Sequence, residues 1–596
     1  MSALVRAWLL LASVVQASVP RAEIRADSNR DGLVNGQDAR QKSGAIFLPN
    51  IGDKTRRCRS RDARGNALGD DELASCNDAS GQKLLAPEFA APLRTLSPDV
   101  SDQASARIYA LPEAAARRVR IFVLDDGGHP DESSSWRFVD PQLSFNATRL
   151  RSGLVLALDG REPVMNDRVW NGSVTVHFDV RDGHDRTSDA VSLTMSPILT
   201  HHHLQTVDTL ISVPIASEPF YHQLDRARAA SGIKKPILPV TGTDDVWAQD
   251  FMEPAYASMP GPNGPISLGV IIRSAQSSRR AGRFVFEQLR GPGLGGFQTS
   301  TALGSGFGER HINSMGNLET IPPYRSRQGV EYASGRIIMG KHYDDLPAQS
   351  MLDFLHAQRL QSPLLLEAGW LLVGHMDEFV QFVPYANDLG FTMAIADTRC
   401  ALSLLRKLAE DGHGDIQAVS YKPVNNSLNA EEAIDAGIGL TVSDLINNQT
   451  FHDDNAFAQR HIDANLKTLL SEIPLHPKDV IRVPTLFRAI DYIYPASDDG
   501  TPPLKDPPPP GEKQVASFYP EGLNGVVVGR DYISPRIYGP VVDGVDVLAR
   551  ATEEAYARAG MRLHYVDDFL SHHLSSGEVH CGSNTLRRMD AWWKGR

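Results

Sequence analysis

Four cysteines in 596 residues are too few to staple a chain of this length, so hydrophobic cores must hold it together. Past its N-terminus the chain has no stretch approaching the roughly 18 uninterrupted apolar residues of a membrane helix, so no membrane-spanning role is expected. Positive charge is also short. Sixty Lys and Arg stand against 72 Asp and Glu, a formal net charge of −12, which argues against a nucleic-acid partner because phosphate contacts need cations. The acidic balance suits a cationic substrate better. No internal repeat recurs by identity. What is present, 41% hydrophobic and 22% charged residues, describes a soluble globular protein too long for one core.

Residues 1–17 read as a secretory signal peptide: Arg6, the apolar run from Ala7 to Val15, then the small residue Ala17. Export agrees with the glycosylation acceptors at Asn146, Asn171, Asn425 and Asn448. It also gives the cysteines different roles. Cys58 and Cys76 share a loop-like region and are able to pair in an oxidising compartment, a pairing the sequence leaves open. Cys400 reads as a structural thiol, and Cys581 stands in a different context.

From 18 to 196 the pattern is β. Val119, Ile121 and Val123 alternate with Arg118 and Arg120, and Leu154, Leu156 and Leu158 behave likewise. Val174, Val176, Phe178 and Val180 do the same, which predicts strands with one buried and one solvated face, as in a sandwich. Near the start, Asp27, Asn29, Asp31, Gly32, Asn35 and Asp38 have the spacing of a calcium loop, with an acidic β-turn as the equal alternative. From 197 to 596, helix-period segments at Met351–Leu360, Ala401–Leu408, Ile462–Leu470 and Val545–Ala559 alternate with strand candidates at Ile337–Met339, Leu371–Val373 and Val526–Val528. This predicts an α/β domain. The proline-rich stretch 502–511 reads as a stiff surface loop.

Four stretches of the second domain carry chemistry: Trp247–Glu253, Gly316–Glu319, Val373–Phe379 and Gly577–Asn584. Singly, each has a structural explanation. Together they supply a Cys, a His and two Asp, the parts needed to hydrolyse a guanidinium. Two carboxylates can accept paired N–H bonds from its planar fork. A thiolate can attack its carbon, and an imidazole can protonate the departing ammonia.

These stretches closely resemble the signatures of the protein-arginine deiminase family, as do Gly412-His413-Gly414, Phe518-Tyr519-Pro520, Tyr538-Gly539-Pro540 and Trp592-Trp593. The resemblance runs in order from about residue 197 to the C-terminus. A weaker one, to the family's immunoglobulin-like middle domain, covers 18–196. It implies a pseudo-fivefold propeller of ββαβ modules, the pentein fold, behind an immunoglobulin-like β-sandwich, with the animal enzymes' N-terminal domain missing. It implies that Cys581 is the nucleophile, His375 the general acid and then base, and Asp250 and Asp377 the guanidinium-binding carboxylates. Trp247 and Val373 would wall the arginine stem, and Arg279 would grip the substrate backbone. The partner would be a protein or peptide bearing arginine, and the product peptidyl-citrulline.

The resemblance also implies a Ca²⁺ cofactor, held by side chains of Gln249, Glu253 and Glu319 and carbonyls of Met315 and Leu318. A second family calcium site is poorly matched, because Phe251, Ser274 and Ser278 stand at its ligand positions and a phenyl ring cannot bind a hard cation. The acidic run Asp70-Asp71-Glu72, with Asp78, is a further calcium candidate assigned to the first domain. The rival readings are a deiminase of free arginine or agmatine, an amidinotransferase, a cysteine protease, and a secreted binding protein on a degenerate scaffold.

Overall fold

The computed structural model describes residues 21–214, 218–299, 310–423, 427–491, 493–494 and 503–594. The predicted signal peptide and the Asn425 acceptor lie outside them; Asn146, Asn171 and Asn448 are exposed. The chain divides into two compact units. One holds the described residues up to Phe47 with Gln82–Asp159 and Ser173–Thr194; the other holds Leu48–Gly81, Gly160–Gly172 and everything from Met195 onward. The sequence reading places a single boundary near 197, whereas two early excursions belong with the later unit.

The first unit contains two five-stranded sheets. Their orders are Glu23–Ala26, Ala91–Leu96, Val155–Gly160, Val119–Leu124, Trp136–Phe138 and Ala45–Phe47, Asp185–Met195, Ser173–Asp182, Ser105–Leu111, Phe145–Asn146. Val174, Val176, Phe178 and Val180 are all buried, as their spacing predicts. Arg120 departs from the expected alternation. It is fully buried because its Nε and Nη2 donate to the Asp159 carboxylate at 2.9 and 2.5 Å and its Nη1 donates to the Lys83 carbonyl. In the acidic loop Asp27 accepts the N–H groups of Asp31 and Gly32, while Asp38 accepts those of Ser28, Asn29 and Asn35. Gly32 takes the turn at φ 89°. Its carboxylates thus close the turn on backbone N–H groups, and burial with Asp31 and Asp38 nearby pushes Asp27 up to about 6.

The second unit repeats one topology five times. A strand pairs antiparallel with the next, which pairs parallel with a third reached through helical segments. The triplets are Met252–Met259, Ile266–Arg273, Leu294–Phe297; Leu318–Ile321, Arg336–Lys341, Leu364–Glu367; Val380–Pro384, Phe391–Asp397, Ile481–Pro484; and Val526–Val528, Asp531–Pro535, Arg562–Val566. The fifth is closed by the chain's last strand, Ser583–Arg587, antiparallel to Val207–Ser212, itself parallel to Leu238–Pro239. Parallel pairing demands a crossover, and Gln349–Ala357, Thr398–Leu408, Gln449–Glu472, Val547–Ala557 and Glu218–Ala230 supply helices for it. One large core gathers Trp370, Phe379, Phe382, Phe391, Phe487, Tyr532 and Tyr556, each ring contributing roughly 1.5–3 kcal/mol by burial.

Two sequence expectations fail here for visible reasons. Leu371–Val373 forms only an isolated bridge, Leu371 with Val515, because the buried Lys505 ammonium takes the carbonyls of Gly369, Leu371 and Leu372. Lys505 comes from the proline-rich stretch, which is therefore partly buried. The run Asp70–Glu72 lies in the second unit, and Asp70 is engaged by Arg273 and Arg283. Cys58 and Cys76 form a disulfide in the same unit, and Cys400 is a half-buried free thiol.

Candidate active site

Each of the five triplets presents a residue just ahead of its first strand. Asp250 precedes Met252, Gly316 precedes Leu318, Asp377 precedes Val380, Asn524 precedes Val526, and Cys581 precedes Ser583. These positions converge. A Cβ built on Gly316 would lie 2.8 Å from His375 Nδ1, 3.0 Å from Asp250 Oδ1 and 3.4 Å from Asp377 Oδ2, so only a glycine leaves the space they share. They adjoin a cavity of about 420 Å³ whose lining includes Trp247, Asp250, Arg279, Val373, His375 and Cys581.

Cys581 is 5% exposed. Its thiol donates toward Asp377 Oδ2 at 3.4 Å, and Asn524 Nδ2 donates to its sulfur at 3.2 Å. Burial, then Asp377 and Asp250, push the thiol well above its usual range. His375, 1% exposed, donates its backbone N–H to Glu378 Oε1, and its Nε2 lies 3.0 Å from the His311 carbonyl. A carbonyl can only accept, so Nε2 carries the proton and Nδ1 faces the site, 3.7 Å from Asp250 Oδ1 and beyond hydrogen-bond reach. Asp250 Oδ1 and Asp377 Oδ1 are both buried without a hydrogen-bond partner among the described residues. Burial raises the Asp250 carboxyl, with Arg279 and His375 opposing. Two unsatisfied carboxylate oxygens beside a nucleophile form a cage awaiting a cationic donor.

The structure brings together all four residues to which sequence assigns catalysis, and Trp247 and Val373 are half-buried in the cavity wall. Arg279 also lines the cavity and is engaged by acidic groups there. Its Nε and Nη2 clamp Asp245 at 2.8 and 2.9 Å, and its Nη1 donates to Asp250 Oδ2 at 3.1 Å. It therefore sits against Asp250, one of the two candidate guanidinium-binding carboxylates. Sequence reasoning missed Asn524, whose Oδ1 accepts the N–H groups of both His580 and Cys581 at 3.1 Å, and Glu378, which fixes the loop before His375. Asn524's only signal was its place ahead of a strand.

The expected calcium set assembles in part. Gln249 Nε2 donates to Glu253 Oε2 at 3.0 Å, and the Met315 carbonyl accepts the Leu318 N–H. Glu319, however, is faced by two imidazoles: His203 Nε2 is 3.3 Å from its Oε2 and His580 Nε2 is 3.6 Å from its Oε1. Calcium takes six to eight oxygens, so this mixed nitrogen–oxygen surround does not fit the all-oxygen set that the resemblance implies.

Residues 185–594 match the family model for protein-arginine deiminase (PAD). A rat protein-arginine deiminase type-4 is 30% identical over 367 residues, covering 59% of this chain and 48% of that protein. A human protein-arginine deiminase type-1 is 26% identical over 418 residues, covering 68% and 57%. The match thus spans about half the length of these relatives. A structure of a C. jejuni agmatine deiminase variant with substrate bound is matched over 66% of this chain and 96% of its own at 9% identity and a TM-score of 0.34, too low a score to decide the fold.

Proposed function

The chain belongs to the protein-arginine deiminase family, and from that premise we propose that it hydrolyses peptidyl-arginine to peptidyl-citrulline and ammonia. The observation that carries this reading is the pair of buried, unpartnered oxygens, Asp250 Oδ1 and Asp377 Oδ1, beside Cys581. A guanidinium offers planar N–H donors to both and stays charged at any working pH. Its arrival lowers the cost of ionising Cys581, whose neighbours otherwise oppose it.

Cys581 gives its proton to His375 Nδ1, and the resulting thiolate adds to the guanidinium carbon, forming a C–S bond. His375 delivers a proton from Nδ1 to one nitrogen, the C–N bond breaks and ammonia leaves a thiouronium. The same Nδ1 then takes a proton from water as the water oxygen adds; the C–S bond breaks as the new hydroxyl passes its proton to the sulfur, giving citrulline and the Cys581 thiol, and His375 releases its proton to the ammonia. Holding the carbon at the sulfur supplies proximity, and the two carboxylates stabilise the charge that the cavity desolvates. Arg279 acts through Asp250, and Asn524 fixes the backbone of Cys581.

The fivefold repeat of one strand topology, closed by the C-terminal strand, supports a pentein propeller, and the paired five-stranded sheets support an immunoglobulin-like first domain. The Cys58–Cys76 disulfide and the exposed acceptors support secretion. Turnover of a blocked arginyl peptide should exceed that of free arginine and agmatine by at least about tenfold in kcat/KM. Preference for either free amine would replace the peptidyl reading with the small-molecule one.

A further inference from the structure

Behind the catalytic cage lies a second polar centre. His203, Glu319 and His580 are buried, and one ligand atom from each lies within 4.8 Å of the others, the single such group among the described residues. His203 follows the Leu199–Thr200 strand, Glu319 sits in the first strand of the second triplet, and His580 immediately precedes Cys581.

The hydrogen bonds on the far side of each ring decide what faces the centre. His203 Nδ1 is 3.3 Å from the Phe382 carbonyl, which can only accept, so that nitrogen carries the proton. His580 Nδ1 is 2.8 Å from Asp377 Oδ2 and donates to it. With Nδ1 so engaged, both Nε2 atoms face inward, toward Glu319 oxygens at 3.3 and 3.6 Å. An imidazole nitrogen facing a carboxylate at this range needs a proton or a metal cation between them.

We propose that His203, His580 and Glu319 bind a borderline divalent cation of the zinc class, in place of the calcium that the family resemblance implies. Ligands about 2.0–2.1 Å from a tetrahedral ion stand about 3.3 Å apart, and one ligand atom from each of the three residues already lies within 4.8 Å of the others, so small side-chain movements close them on an ion. Imidazole with carboxylate is a donor set for zinc and its neighbours, whereas calcium avoids nitrogen. Each ring also has the outer partner that metal-bound histidines need, a backbone carbonyl for His203 and a carboxylate for His580. The second partner is Asp377, so an ion on His580 Nε2 fixes the Nδ1–H that holds Asp377 Oδ2 beside the Cys581 thiol.

The test uses the full chain, stripped with chelator and loaded with zinc or cobalt salts alone, with metal content and spectra as readouts independent of any activity. The proposal expects about one zinc per chain after gel filtration, visible d–d bands from cobalt, and two imidazoles in zinc X-ray absorption fine structure of the wild type. His203→Gln, which removes one imidazole ligand, should weaken zinc binding by about 100-fold or more. Three results overturn the proposal: no retained ion, zinc held equally by wild type and His203→Gln, or a wild-type absorption signature of oxygen ligands alone. The wild-type spectrum decides the matter even if His203→Gln fails to fold. A deiminase that binds no zinc refutes this centre alone, and a zinc-binding chain without deiminase activity refutes only the function.

Discussion

Gly316→Ala places a methyl group in the middle of the catalytic cage. The added carbon would meet His375 Nδ1 at 2.8 Å and Asp250 Oδ1 at 3.0 Å, with Asp377 Oδ2 at 3.4 Å. Carbon needs about 3.5 Å, so the imidazole and one carboxylate must each retreat by about 0.5 Å or more. His375 has little room to do so, being tied through Nε2 to His311 and through its backbone to Glu378. Misplacement approaching 1 Å in a positioned catalytic group costs about 100-fold, or about 2.7 kcal/mol of barrier. Overpacking adds about 1–3 kcal/mol of lost stability, not enough to unfold a domain of this size. The assay is citrulline release from a blocked arginine ester, alongside a thermal melt and a Gly36→Ala control, where an added carbon meets nothing within 4 Å. A Gly316→Ala enzyme that keeps its wild-type kcat refutes the convergence on which the site rests.

Asn524→Ala removes the acceptor for two backbone N–H groups and the donor to the sulfur; kcat should fall by about 10–100-fold with KM nearly unchanged, and a pure KM effect would contradict a positioning role. Because burial and two carboxylates raise the Cys581 thiol, neutral haloacetamide should label it slowly near neutrality and faster as pH rises. A cationic haloacetamidine should react at least about tenfold faster at the same pH, and equal rates would contradict the carboxylate cage. Burial pushes His572 down to about 3, so it stays neutral in the fold but protonates on unfolding below its ordinary value near 6.5. Its contribution is therefore complete above that value and is lost as pH falls toward 3, amounting to roughly 2–3 kcal/mol by about pH 4.5. Urea unfolding of His572→Phe should show a correspondingly shallower acid loss, and an unchanged acid slope would contradict it.

The candidate catalytic residues were legible because a thiol, an imidazole and two carboxylates stand in stretches whose chemistry makes sense only jointly. Asn524 was not, since a lone amide between Leu523 and Gly525 has no reactive neighbour; its role exists only through the fold. The fivefold repeat escaped identity searching because backbone pairing recurs while side chains do not. Strand spacing failed where side chains intervened: Asp159 lets Arg120 enter the core, and Lys505 takes the carbonyls that would have extended Leu371–Val373. His203 looked like one of three consecutive histidines, and nothing local showed that it alone would face Glu319.

The most direct test of the central claim is stoichiometric: citrulline and ammonia measured together from a blocked arginyl peptide, with wild type and Cys581→Ala in parallel. The account predicts equal amounts of both products from the wild type and none above background from the variant. Ammonia without citrulline, or turnover that survives loss of Cys581, would contradict it.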